Sequence, residues 1–214
     1  MIIWQYQGKA SDVVPGLVSA SGTGQSGNVV INTTPPNVHT NAQALAFTCN
    51  TSSGDGTTAL YVQPPLRPSL EKVRLSCVFN NANTDANLDF ILFHYVVYYD
   101  TYYIVFELAV ASEYGATEKI TYLNSANSRI DTGFQYRPQN TATDNYWDRF
   151  VMDIDLTNKQ YTRLVYQQEI DMTAKLGYEV TTAAVPHQLL YIALKGDDTI
   201  SQVYFDSITL EDIS

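Results

Sequence analysis

The stretch Phe150-Val151-Met152-Asp153-Ile154-Asp155-Leu156-Thr157-Asn158-Lys159-Gln160-Tyr161-Thr162-Arg163-Leu164-Val165-Tyr166 decides the fold. Phe150, Met152, Ile154 and Leu156 alternate with Val151, Asp153 and Asp155, the period of two expected of a half-buried strand. Asn158-Lys159 turns the chain, and Tyr161 to Tyr166 returns it as the second arm of a hairpin. A second hairpin is centred on Asp100-Thr101 and joins Leu88–Tyr98 to Tyr102–Val110, with arms rich in the β-branched and aromatic residues that suit a pleated surface.

Further strands are predicted over 28–32, 43–48, 58–62, 70–80, 117–123, 188–194 and 202–211. No stretch of about 12 residues carries a helical period, and Met172–Leu176 offers one helical turn at most. Seven of the 11 glycines precede residue 57, which predicts loops between short strands in the first quarter of the chain. Pro64, Pro65 and Pro68 exclude a central strand and mark a crossing between sheets. Tyr136 to Tyr146 reads as a polar loop leading into Trp147. With no linker and no internal repeat, about a dozen strands over residues 1–214 predict one all-β domain, an antiparallel two-sheet sandwich.

Composition narrows the role. The 214 residues hold 16 Tyr, 8 Phe and 2 Trp, while charged residues make only 16%, against roughly 25% in an average globular chain. A net charge of −10 argues against nucleic acid, whose phosphates need clustered cations. The apolar run Ile104-Val105-Phe106 stops at Glu107, far short of the roughly 20 residues of a helical span, so no membrane insertion is predicted. Met1-Ile2-Ile3-Trp4-Gln5-Tyr6 has neither the basic nor the apolar region of a secretory signal. Cys49 and Cys77 match no metal-ligand spacing and sit in strand-like contexts, where Cys is a small buried hydrophobe; their pairing stays open. Asn32-Thr33-Thr34 and Asn50-Thr51-Ser52 are glycosylation acceptors in form only.

Three segments resemble the concanavalin-like β-jelly-roll superfamily of lectins, laminin-G-like modules, carbohydrate-binding modules and some glycoside hydrolases. Trp147-Asp148-Arg149-Phe150 through Leu164 looks like a long hairpin placed late in such domains, opened by a Trp. Val203-Tyr204-Phe205-Asp206-Ser207-Ile208-Thr209-Leu210 is similar to their closing strand, and Pro35 to Phe47, with Ala42-Gln43-Ala44-Leu45, to a small-residue run. The resemblance covers under half of the chain. It implies a concanavalin-like jelly roll.

The resemblance also frames the candidate sites. Glu169-Ile170-Asp171-Met172-Thr173-Ala174 resembles the acidic motif of retaining jelly-roll glycosidases, in which Glu, Asp and a second Glu share one strand. Retaining chemistry needs two carboxyls about 5–5.5 Å apart, yet the places for the second Glu hold Thr173 or Ala174. The segment reads equally as the return of a hairpin after Tyr166-Gln167-Gln168, so no catalytic residue is assigned. His39 and His187 read as loop residues, His94 as a hydrogen-bonded strand residue, and no Gly-x-Ser-x-Gly elbow accompanies them. Asp206 fills the last-strand place of a structural Ca²⁺ site found in many jelly-roll modules. The opposite place reads Trp4-Gln5-Tyr6-Gln7-Gly8, with amides where the resemblance calls for carboxylates. The bland alternative for Asp206 is a β-bulge, because the apolar phase changes from Val203 and Phe205 to Ile208 and Leu210.

The third candidate is a tyrosine ladder, Tyr95, Tyr98, Tyr99, Tyr102 and Tyr103, with the amphipathic form that contact with sugars requires. Both faces of its hairpin are apolar: Phe90, Leu92, Val96 and Tyr98 on one, and Ile91, Phe93, Tyr95, Val97 and Tyr99 on the other. Core, glycan contact and protein interface therefore all stay open for it. As the resemblance implies, the expected role is non-catalytic recognition of a glycan. The alternative is a structural subunit of a virion or other assembly surface, a homo-oligomer with a protein partner. A divergent glycosidase without its acid is third.

Overall fold

The computed structural model describes residues 1–10, 13–21, 26–33, 43–50, 55–65, 69–81, 90–110, 119–135, 147–197 and 200–214. Its strands are β1 (Ile2–Tyr6), β2 (Leu17–Ser21), β3 (Ser26–Asn32), β4 (Ala44–Asn50), β5 (Asp55–Val62), β6 (Lys72–Asn81), β7 (Phe90–Tyr98) and β8 (Tyr102–Val110). They continue with β9 (Lys119–Leu123), β10 (Arg129–Gln135), β11 (Asp148–Asp155), β12 (Gln160–Tyr166), β13 (Gln168–Leu176), β14 (Tyr178–Thr181), β15 (His187–Asp197) and β16 (Ile200–Asp212).

Two eight-stranded sheets result. Sheet I runs β13-β12-β11-β6-β16-β4-β3, with β1 also pairing β16; sheet II runs β10-β9-β8-β7-β15-β5-β2, with β14 on β8. The expected hairpin is β11–β12, and its partner across the turn at Asp100-Thr101 is β7–β8. Pro64 and Pro65 follow β5, which ends in sheet II at Val62, and β6 starts in sheet I at Lys72, as the predicted crossing requires; Pro68 lies outside the described residues. Strand β7 lies in the middle of sheet II, between β8 and β15.

The inner faces of both sheets meet in one apolar core. Phe93 of sheet II packs against Phe150 at 4.2 Å between ring centroids and against Phe205 at 6.0 Å; Phe47 meets Phe205 at 5.1 Å. Such pairs contribute about 0.5–1.5 kcal/mol each beyond the area they bury. Cys49 and Cys77 are both buried in this core, and no disulfide joins them. Burial pushes the Cys77 thiol well above its ordinary range, so it is an inert core group.

Two expectations are corrected. Met172–Leu176 forms no helical turn but belongs to β13, where Ala174 adopts φ 60° as the register with β12 shifts. The extra residues of this bulge mimic a helical spacing in the sequence. The strand number exceeds a dozen because β1, β2, β10 and β14 add to the predicted strands; β2 is exposed at every residue and β14 spans only Tyr178–Thr181, which leaves neither of these two a readable alternation. Gly177 carries the chain from sheet I to sheet II at a place where a Cβ would come within 2.8 Å of the Phe106 ring.

Candidate functional site

Successive residues of a strand point to opposite sides, so β7 divides its aromatic residues between core and outside. Ile91, Phe93, Tyr95 and Val97 face sheet I and are almost wholly buried. His94 and Tyr98 point outward. Cross-strand register then places Leu17, Tyr61, Tyr191, His94 and Glu107 side by side on β2, β5, β15, β7 and β8. This row crosses the outer face of sheet II.

The row is continuous. Tyr61 and Tyr191 lie 4.8 Å apart between centroids with a hydrogen bond between their side chains, and Tyr191 lies 5.3 Å from the His94 ring. His94 Nε2 donates to Glu107 Oε2, and Arg129 Nε donates to Glu107 Oε1 at 2.5 Å. Burial alone pushes the Glu107 carboxyl up, but the hydrogen bonds and charges of His94 and Arg129 together hold it below its ordinary value. Both carboxylate oxygens are thus spent on their neighbours, and the pair with Arg129 balances its charge. Burial, followed by the neighbouring Tyr61, pushes the Tyr191 hydroxyl up to about 12, so it stays a neutral hydrogen-bonding group at ordinary pH.

A second aromatic row lies four residues along β7, about 13–14 Å away at strand spacing. Tyr98 stacks on His187 at 4.0 Å with an interplanar angle of 8°, and meets Tyr103 at 5.0 Å. His187 Nδ1 bonds to the carbonyl oxygen of Val185 at 2.7 Å.

The structure therefore divides the predicted tyrosine ladder. Tyr98 and Tyr103 share the outer face of sheet II. Tyr99 and Tyr102 stack on each other at 4.6 Å against the edge of the core, with Lys159 Nζ 4.2 Å from the Tyr102 ring centre. Tyr95 is a correction. It is wholly buried between the sheets, because its odd position on β7 points inward, and its hydroxyl donates to Gln188.

The acidic motif is dispersed over an edge strand. Glu169 and Asp171 are exposed on β13; Arg163 Nε donates to Glu169 at 2.9 Å, and Asp171 accepts the backbone N–H of Thr173 at 2.8 Å. Asp206 is buried at the predicted bulge, where the register of β16 with β6 shifts between Phe205 and Ser207. Among the described residues no three His, Cys, Asp or Glu side chains gather as a metal site.

No family model and no curated protein sequence matches the chain. Solved structures do. One is the cellulose induced protein Cip1, at TM-score 0.58 and 10% identity over 98% of this chain and 97% of that one. Another is a carbohydrate esterase of the Shiga toxin-encoding bacteriophage phi24B, at TM-score 0.55 and 16% identity over 100% and 99%. A third is a legume lectin-like domain from Entamoeba histolytica, at TM-score 0.50 and 12% identity over 89% of each. The fold is the concanavalin-like jelly roll.

Within this jelly roll, sequence reasoning missed Tyr61, Tyr191, Glu107 and Arg129. Each has the outward phase of its own strand, but only the lateral order β5-β15-β7-β8 brings Tyr61, Tyr191 and Glu107 to His94. One signal was present: Glu107 interrupts an otherwise apolar strand, and a buried carboxylate requires partners.

Proposed function

We propose that the protein is a non-catalytic recognition module that binds a neutral glycan on the outer face of sheet II. The observation that supports this best is the row Tyr61–Tyr191–His94–Glu107–Arg129. Tyr rings offer apolar surface with a hydroxyl at the tip, the combination that a sugar's C–H and O–H groups match. The Glu107 carboxylate, held between His94 and Arg129, leaves little unbalanced charge for an acidic ligand to meet. Tyr98 and Tyr103 extend the same face. Of the similar folds, one is that of a carbohydrate esterase and one that of a legume lectin-like domain, which is in keeping with the reading. A glycan array probed with the protein and with Y191A tests it: defined neutral glycans bound by the first and lost by the second are expected. A silent array with well-folded protein would sink it.

A second reading, an assembly subunit that pairs with further copies, draws on β2. This edge strand carries no charge, and Leu17 is 78% and Val18 41% exposed. Natural edge strands are commonly guarded by charge or proline. The mass in solution decides between the readings: a monomer favours recognition alone, and a trimer or larger with a silent array favours assembly.

A further inference from the structure

Strand β8 has one neighbour along one side and two along the other. β7 pairs with it from Val110 to Tyr103, whereas the opposite side is taken by β14 at Tyr102–Val105 and by β9 at Leu108–Val110. Glu107 falls between these two partners. A buried backbone N–H without a partner is costly, and the group that fills the gap comes from the other sheet. Tyr161 of β12 crosses the core, with its ring edge-on to Phe106 at 5.2 Å and to Tyr122 at 5.5 Å. Its hydroxyl accepts the Glu107 N–H at 2.8 Å and lies 3.0 Å from the Leu123 carbonyl and 3.2 Å from that of Glu107. Leu123 is in turn the ladder partner of Arg129.

One hydroxyl thus ties the backbone of Glu107 to that of Leu123, the cross-strand partner of Arg129. We infer that Tyr161 is a positioning residue for the outer face of sheet II: from inside the core it sets the separation of Glu107 and Arg129, and through Glu107 the orientation of His94. Burial pushes the Tyr161 hydroxyl far above its ordinary range, so it keeps its proton and serves as donor and acceptor at once. The inference gives the proposed binding face its alignment and rests on that reading for its biological meaning, but its test uses no ligand.

The experiment is NMR on the full chain. In the unmodified protein, the Glu107 amide is expected to exchange as slowly as its ladder-paired neighbour Leu108; rapid exchange at Glu107 would overturn the inference without any variant. In Y161F, which keeps the ring and removes the hydroxyl, Glu107 exchange is expected to rise about tenfold, the loss of roughly one hydrogen bond. The His94 ring and Arg129 Nε–H signals are expected to shift with it. Y166F, which removes another buried tyrosine hydroxyl from β12, serves as control and is expected to leave those signals in place. If Y161F lowers stability while His94 and Arg129 stay unmoved, Tyr161 is merely structural. A protein that binds no glycan counts against the proposed function and leaves these readouts intact.

Discussion

Tyr95 and Gln188 form a hydrogen bond inside the sandwich: the hydroxyl donates to Gln188 Oε1 at 2.5 Å, and neither side chain is exposed. Gln188 Nε2 then donates to the Pro65 carbonyl at 2.5 Å, so the pair ties β7 and β15 to the crossing after β5. A side chain used this way stabilises the scaffold and does not meet a ligand.

Y95F should therefore lower stability by about 1–3 kcal/mol, because it leaves the buried Gln188 oxygen without its donor. Urea unfolding measures the loss, and the glycan profile should stay as it was. A changed profile at unchanged stability would return Tyr95 to the ligand.

Glu107 predicts an acid response. Its folded pKa lies below the ordinary 4.5, so the stability it contributes is complete above that value and is lost as the pH falls through the lower folded one. E107Q should cost ~1–3 kcal/mol near neutral pH by weakening the bonds to His94 and Arg129. It should also flatten the acid limb of the stability curve below pH 4.5. Melting temperatures across the acid range check this, and an acid limb identical in both proteins would rule it out.

The tyrosines of the β7–β8 hairpin should separate by role. Y98A and Y103A should weaken glycan binding several-fold with little effect on melting. Y102A should act on stability instead, since its ring stacks on Tyr99 and receives Lys159. Paired binding and melting measurements on the three variants test this, and equal binding losses in all three would contradict the division.

Calcium removal should do nothing to the scaffold. Asp206 occupies a bulge, and no three metal-ligating side chains converge among the described residues. EDTA is expected to leave the melting temperature unchanged. A drop restored by added Ca²⁺ would reveal an ion that binds the folded state.

What the sequence could and could not show follows from the physics of sheets. Alternation in Phe150–Leu156 exposes the hairpin directly, and the phase change around Asp206 exposes its bulge. Period two also says that His94 and Tyr95 face opposite ways, but not which of them faces the core when both sides of β7 are apolar. Lateral order has no local signal: Tyr61, His94 and Tyr191 meet because β15 inserts between β5 and β7, although it follows them by about a hundred residues. Leu17–Ser21, exposed throughout, has no buried face to imprint a pattern.

The most direct test of the central claim is calorimetric titration of the protein and of the double variant Y61A/Y191A with neutral and acidic polysaccharides. Tyr61 is 36% exposed and Tyr191 only partly buried, so the double variant should fold. The account predicts saturable binding of a neutral polysaccharide by the unaltered protein and at least about a tenfold loss, ~1.4 kcal/mol, in the double variant. Binding of equal strength by both proteins, or none by the unaltered one, would contradict it.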